Sequence, residues 1–340
     1  MINENKKILI ENFLSSGDIL MLTAAVRDLK KRFPNFKIDV NTSVPQIWEN
    51  NPNITKLNRQ DPEIEIIKAD YPLINESDDL PYHFIHGFRM FFEDYFNIKI
   101  PQGPFHGEIF LSNEEKANSY DLNNKFGIKG PFWILISGGK YDYTAKWWSP
   151  IEYQKVINYF KNKITFVQCG DEKDFHPALN GAINLIGKTN PREFINLMYH
   201  SIGVVSPVTY AMHLAAAVES KYKIKNRPAV IIAGGRESTH WEAYPNHRFL
   251  SVVGALKCCA AGGCWKSRCS EVGDGEKDDF SNLCEYPTKI DFDIKSPYEG
   301  SYKKLFIPKC MDMIKAEDVI NAINYYYESE AGILRFLKKP

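Results

Sequence analysis

The same plan occurs twice in this chain, and it restricts the fold more than any other feature. Near the start, the apolar run KILIENFL (Lys7–Leu14) leads into the polar turn SSGD and then into a helical pattern. Ile19, Leu22, Val26, Leu29 and Phe33 recur at spacings of three and four, which puts them on one helix face. FPNFKIDVNT breaks that helix and opens a second strand near Lys37–Val40. Strand, crossover helix and strand make the unit of a parallel sheet. In the middle of the chain, PFWILIS (Pro131–Ser137) is again a buried strand, here running into the glycine turn GGK. SPIEYQKVINYFKN then reads as a helix with Tyr153, Val156, Ile157 and Phe160 on one side. ITFVQCG, IGVVS and AVIIAGG read as further strands, and TNPREFINLMYHS and AMHLAAAVE as further helices. Asn190 at the cap, Pro191 in the first turn and Glu193 three residues on mark one helix start plainly.

The expected fold class is therefore α/β, with two Rossmann-like doubly wound domains facing a cleft. The 340 residues suffice for two such cores. Weaker strand-like pieces lie at Ile64–Ile67, His83–His86 and Glu108–Leu111, and the polar stretch at 112–130 suggests a boundary. The division expected is 1–125, 126–257, an irregular Cys-rich segment at 258–312 and a C-terminal helix within 313–340. A cleft between two doubly wound domains, at the carboxyl ends of the strands, is where a ligand binds.

Forty-two acidic and 42 basic residues balance to zero net charge, so composition points to no nucleic-acid or acidic-membrane partner. No apolar run approaches the roughly 18 residues that span a bilayer. MINENKKILIENFL reads as a first strand rather than a signal peptide, and a cytoplasmic address is expected. Thiols stay reduced there, and clustered cysteines bind metal more often than they pair. KCCAAGGCWKSRC (257–269) holds four of the chain's seven cysteines. CAAGGC is a plausible chelating turn, but it lacks the C-x-x-C spacing of a plain zinc knuckle.

Several loops fall where strands should end. Gly17 and Asp18 follow the first strand, and Asp18 is either a helix cap or a cleft carboxylate. Ser137, Gly138, Gly139, Lys140, Thr144 and Lys146 follow the strand at 131–137. Thr209, Tyr210 and Ala211 open a helix whose free N–H groups suit a phosphate. Gly234, Gly235, Arg236 and Glu237 follow another strand. There, Arg236 is suited to phosphate and Glu237 to a hydroxyl, or the two charges pair with each other. His83 and His86 alternate on a strand-like piece that could line the acceptor side, and His213 reads as a packed helical histidine.

Three of these stretches, in order along roughly residues 7 to 250, resemble glycosyltransferase family 9, the heptosyltransferase-like enzymes of the GT-B fold. They are SSGDILMLTAAVRDLKKRFPNFKIDV, YTAKWWSP and NLIGKTNPREFINLMYHSIGVVSPVTYAMHLAAAVE. HFIHGF and the Cys-rich tail further resemble a subgroup near the bacterial autotransporter heptosyltransferases. The resemblance implies an inverting glycosyltransferase that moves a sugar from a nucleoside diphosphate sugar such as ADP-heptose to a protein or glycan hydroxyl. It makes Asp18 the general base and Lys146 the clamp on the departing diphosphate. Where the family carries an acid before its Met-His-Leu run, this chain has Val208-Thr209-Tyr210-Ala211, which leaves the sugar open. The subgroup resemblance implies structural zinc or iron on Cys259, Cys264, Cys284 and Cys310, with Cys258 and Cys269 as substitutes. A closed four-thiolate site is structural, and the transfer itself requires no metal. The same resemblance allows a homo-oligomer. The alternatives are a catalytically silent GT-B scaffold that binds nucleotide or glycan, and a nucleotide-sugar epimerase of similar shape.

Overall fold

The computed structural model describes residues 5–71, 80–117, 119–274 and 282–328, with Leu334 and Leu337. Parts of the expected Cys-rich segment (275–281) and of the C-terminal stretch therefore lie outside the described residues. Three strands make the first sheet: β1 (Lys7–Asn12), β2 (Lys37–Thr42) and β3 (Ile64–Lys68), in the order β2-β1-β3. Six make the second: β4 (Phe132–Leu135), β5 (Thr165–Gln168), β6 (Ile183–Asn184), β7 (Gly203–Pro207), β8 (Ala229–Gly234) and β9 (His247–Ser251). Their order is β6-β5-β4-β7-β8-β9, and every pairing is parallel. This is the doubly wound order, and the whole is the expected α/β architecture.

Local chemistry explains the crossovers. The helix Ser16–Arg32 starts in a capping box between Ser15 and Asp18 and ends on Lys30, Lys31 and Arg32, which oppose its dipole. Its predicted face is fully buried at Ile19, Leu22, Val26 and Leu29. The helix Pro191–His200 starts in the capping box of Asn190 and Glu193, as its sequence predicts. β4, β7 and β8 are buried along their whole length, as parallel strands covered on both faces must be.

Three expectations change. His83–His86 is no strand: His83 Nδ1 accepts the Ile85 N–H at 3.1 Å and caps a short 3-10 turn that runs into the helix Gly87–Phe96. Glu108–Leu111 joins no ladder. The Cys-rich stretch is not irregular throughout, because β10 (Pro287–Lys295) and β11 (Tyr302–Pro308) pair antiparallel.

Buried apolar side chains form one cluster from Ile8 and Ile10 of the first sheet to Ile134 and Val204 of the second. Phe84 sits at the join, its ring 5.5 Å from His213 and 5.9 Å from Trp241. The helix Ala316–Glu328 closes a second cluster: Trp133 Nε1 donates to Tyr327 Oη at 3.0 Å, and Trp148 Nε1 to Ile314 O at 2.9 Å. Among the described residues no helix is long and apolar enough to cross a membrane.

Gly203 in β7 lies flat against the Trp133 indole, and a Cβ there would stand 2.6 Å from ring carbons. Backbone and indole are both held by the sheet, so neither can retreat cheaply. Gly203→Ala is expected to lower stability by about 1–3 kcal/mol, read as a fall in the urea midpoint at unchanged m-value.

Candidate active site

β4 has β5 on one side and β7 on the other, so the winding reverses between β4 and β7 and opens a crevice at their carboxyl ends. β4 delivers Ile136–Lys146 to that crevice, β7 delivers Val208–Ala211, and β8 delivers Gly234–Glu237. The loop after β1 meets them. Lys140 Nζ donates to Ser15 Oγ at 3.1 Å, and a Cβ on Gly17 would lie 3.2 Å from His213 Cδ2.

Asp18 serves its helix. Its Oδ2 accepts the Ser15 N–H at 3.0 Å as half of the capping box. Partial burial raises its carboxyl above the usual range, while that bond and the nearby Lys146 and Lys140 pull it back down. That cap engages one of its two carboxylate oxygens.

Lys146 closes a 3-10 stretch at Tyr141–Lys146. Its Nζ lies 2.7 Å from Glu237 Oε1 and 3.3 Å from Val208 O. Arg236 Nη1 donates to that same Glu237 oxygen, and Arg236 Nε donates to Lys266 O at 2.7 Å. The Arg236 guanidinium also lies over the rings of Trp265 and Tyr143, at 5.2 and 5.4 Å. The sequence offered phosphate binding or a salt bridge for Arg236 and Glu237, and this geometry forms the salt bridge.

Behind this network lies a layer of which sequence reasoning singled out only His83 and His213. Glu242 is buried within reach of the charges of Glu237, Lys146, Arg236 and Asp18, and burial pushes its carboxyl well above the ordinary range. Its Oε2 lies 3.6 Å from His213 Nε2 and has no hydrogen-bond partner among the described residues. His213 Nδ1 meets Tyr244 Oη at 2.8 Å, and Tyr244 Oη reaches Met21 Sδ at 3.2 Å. Burial lowers the His213 imidazole well below its usual value and brings His83 and His247 to about 3. Burial therefore disfavours charge throughout this layer. The one sequence signal for Glu242 was the acid in THWEAY, placed one helical turn past the strand-end loop.

Other expected site residues face inward. Ser137 is fully buried and accepts from Gln168 Nε2 at 2.6 Å. Gly138 packs on the Phe175 carbonyl, and Gly139 pairs with Phe175 in an antiparallel bridge. Thr209 caps the helix Tyr210–Ala217 by position only, its Oγ1 lying 2.7 Å from Ser206 Oγ, and Ala211 is buried. Tyr210 Oη has no hydrogen-bond partner among the described residues. Gly234, at φ +62°, and Gly235 make room for Met311, Cys310 and Cys259 rather than for open crevice. Thr144 ties down the Cys-rich segment: its Oγ1 accepts the N–H groups of Cys269 and Ser270 at 2.7 and 3.0 Å.

The cysteines converge. Cys258, Cys264, Cys284 and Cys310 line a single cavity. Cys259 lies close enough to interact with Cys258, Cys264 and Cys310, and its thiol donates to Leu256 O at 3.3 Å. Cys269 lies against Cys284, and its thiol hydrogen bond lowers the Cys284 thiol. Burial and neighbouring thiols push Cys258 and Cys310 up to about 12. Among the described residues no group of three or more His, Cys, Asp or Glu is arranged to hold a metal ion.

Two parallel α/β sheets whose strand-end loops meet are the architecture of the GT-B class. Residues 75–223 match the family model of glycosyltransferase family 9 (heptosyltransferase), and the protein is a glycosyltransferase. No curated protein matches the sequence. Solved structures share the fold at low identity. The ADP-heptose LPS heptosyltransferase II of E. coli superposes with TM-score 0.62 at 14% identity, over 97% of this chain and 99% of its own. The iron-containing dodecameric glycosyltransferase TibC of enterotoxigenic E. coli gives 0.60 at 13%, over 97% of this chain and 79% of its own. A family 9 glycosyltransferase of Veillonella parvula gives 0.58 at 14%, over 76% of this chain and 92% of its own.

Thr144→Val would orphan two N–H groups beneath the Cys-rich segment. A loss of about 1–3 kcal/mol is expected. Faster labelling of Cys269 by a thiol reagent in the folded protein is expected to accompany it.

Proposed function

We propose that the protein transfers a sugar from a nucleoside diphosphate sugar to an acceptor hydroxyl with inversion, and that the donor is ADP-heptose. The observation that carries this is the facing of Asp18 by Lys146 and Lys140, within a family 9 fold. In this reading the free oxygen of Asp18 takes the acceptor proton as the hydroxyl attacks the anomeric carbon. Lys146, Arg236 and the N–H groups at Thr209–Ala211 stabilise the diphosphate that leaves from the opposite face. Two side-chain cations supply the positive charge, so the step calls for no metal ion. The choice of ADP-heptose is supported by the named donor of the E. coli enzyme and by the TibC structure in complex with ADP-D-β-D-heptose. The acceptor is a protein or glycan hydroxyl. The free thiols of all seven cysteines accord with a cytoplasmic enzyme. The dodecameric TibC makes a homo-oligomer the natural assembly to look for.

The division into units at 1–125, 126–257, 258–312 and 313–340 belongs to the same reading. In it, the Cys-rich unit is held by a structural metal. Four thiols on one cavity are the donor set of a tetrahedral zinc or iron site, and Cys258 replaces Cys259 in it. The thiols would have to draw together on the ion, which is then a staple for the segment and takes no part in the transfer.

Two measurements test these proposals. Asp18→Asn keeps an oxygen for the Ser15 N–H and so separates cap from base. It is expected to cut transfer from ADP-heptose by about 10²–10⁴-fold with little change in the unfolding midpoint. Retained transfer would remove Asp18 from the chemistry. For the metal, elemental analysis of protein purified without oxygen should find about one zinc or iron per chain. That content should fall in Cys258→Ser and Cys310→Ser and persist in Cys259→Ser. Metal-free wild type from metal-replete cells would sink the staple.

A further inference from the structure

One carboxylate oxygen holds two cations, Lys146 and Arg236. Glu237 Oε1 takes Lys146 Nζ at 2.7 Å and the Nη1 of Arg236 as well. The two cations are otherwise well supported: Lys146 by the Val208 carbonyl, Arg236 by the Lys266 carbonyl and two aromatic faces. Neither needs a substrate to hold its place. Accessibility differs across the pair, because the Lys146 side chain is 24% exposed and that of Glu237 only 3%. An anion entering the crevice therefore reaches Lys146 from the open side and finds Glu237 already bound behind it. Among the described residues no other carboxylate pairs with Lys146: Asp18 gives one oxygen to the Ser15 N–H, and Glu242 Oε2 lies 3.6 Å from His213 Nε2.

We propose that Glu237 is a positioning residue that acts through Lys146 and Arg236. It is the resident counter-ion that a nucleoside diphosphate displaces on binding, and it recaptures both cations as the diphosphate departs. The proposal rests on Lys146 being the diphosphate clamp. Its physical need lies in the product. Transfer breaks the bond between sugar and diphosphate, so the leaving nucleotide carries more negative charge than the donor did. Two cations without a counter-ion would hold that product harder than the substrate. With Glu237 present, the cations trade one anion for another, and release is no longer a separation of bare charges.

The test is titration of ADP and of adenosine into wild type, Glu237→Gln and Lys146→Met, with steady-state kinetics on the same proteins. Glutamine keeps the shape and an accepting oxygen but removes the charge. Glu237→Gln is expected to bind ADP about tenfold tighter, by an amount that shrinks as salt rises. Adenosine, which carries no phosphate, should bind as it does to wild type. In turnover, KM for the donor and kcat should fall together as ADP release slows. Glu237→Ala removes the same charge and should behave alike if the glutamine variant folds poorly. Unchanged or weaker ADP binding in Glu237→Gln, with ADP binding lost in Lys146→Met, would overturn the counter-ion and leave the clamp standing. Weaker adenosine binding would also overturn it and put the carboxylate on the ribose. Wild-type ADP affinity in Lys146→Met would overturn the clamp, and this proposal with it.

Discussion

β4 has a parallel neighbour on each side, and the rest of the molecule follows from that pairing. The chain leaves β4 to wind one way through β5 and β6, then returns to wind the other way through β7, β8 and β9. Right-handed crossovers then send helices to opposite faces. Between β4 and β7 no crossover covers the strand ends, so the loops there stay open to a ligand. Lys146 comes from the first of those loops, and the Tyr210–Ala217 helix start comes from the second. The first sheet repeats the arrangement, with β1 central, and presents Asp18 to the same opening.

Lys146 and Arg236 share the single carboxylate of Glu237, while burial in the layer behind disfavours the charged forms of Glu242, His213, His83 and His247. An uncompensated buried charge costs several kcal/mol, so this division follows from packing aromatic rings across the join. Phe84, Trp241 and Tyr244 exclude water there. A dry wall beside a charged one strengthens each interaction that a diphosphate would make.

The Cys-rich segment is built onto the crevice rather than set apart from it. Thr144, two residues before Lys146, accepts two of its N–H groups, and Gly234 and Gly235, just before Arg236, admit Cys310 and Cys259. The segment therefore shares supports with both cations. A change in how its thiols are held would reach Lys146 through Thr144 and Arg236 through the β8 turn.

Periodicity and capping were enough to place most helices and the buried strands, because those signals are local: the Ile19–Leu29 face and the Asn190–Glu193 box depend on residues a few positions apart. HFIHGF misled because alternation over four residues also fits a capped 3-10 turn, and the helix after it was hidden by that assignment. β10 did carry alternation in Ile290, Phe292 and Ile294, which the surrounding cysteines and glycines obscured. For the site, the sequence by itself determined that a carboxylate, a lysine, an Arg-Glu pair and a helix start would each follow a strand. Only the tertiary structure decided that Glu237 would pair with Lys146, that Glu242 would be buried behind it, and that Cys258 would line one cavity with Cys264, Cys284 and Cys310. Those outcomes depend on distances between residues far apart in the chain and on the direction in which a side chain leaves its turn. Neither is encoded in local pattern.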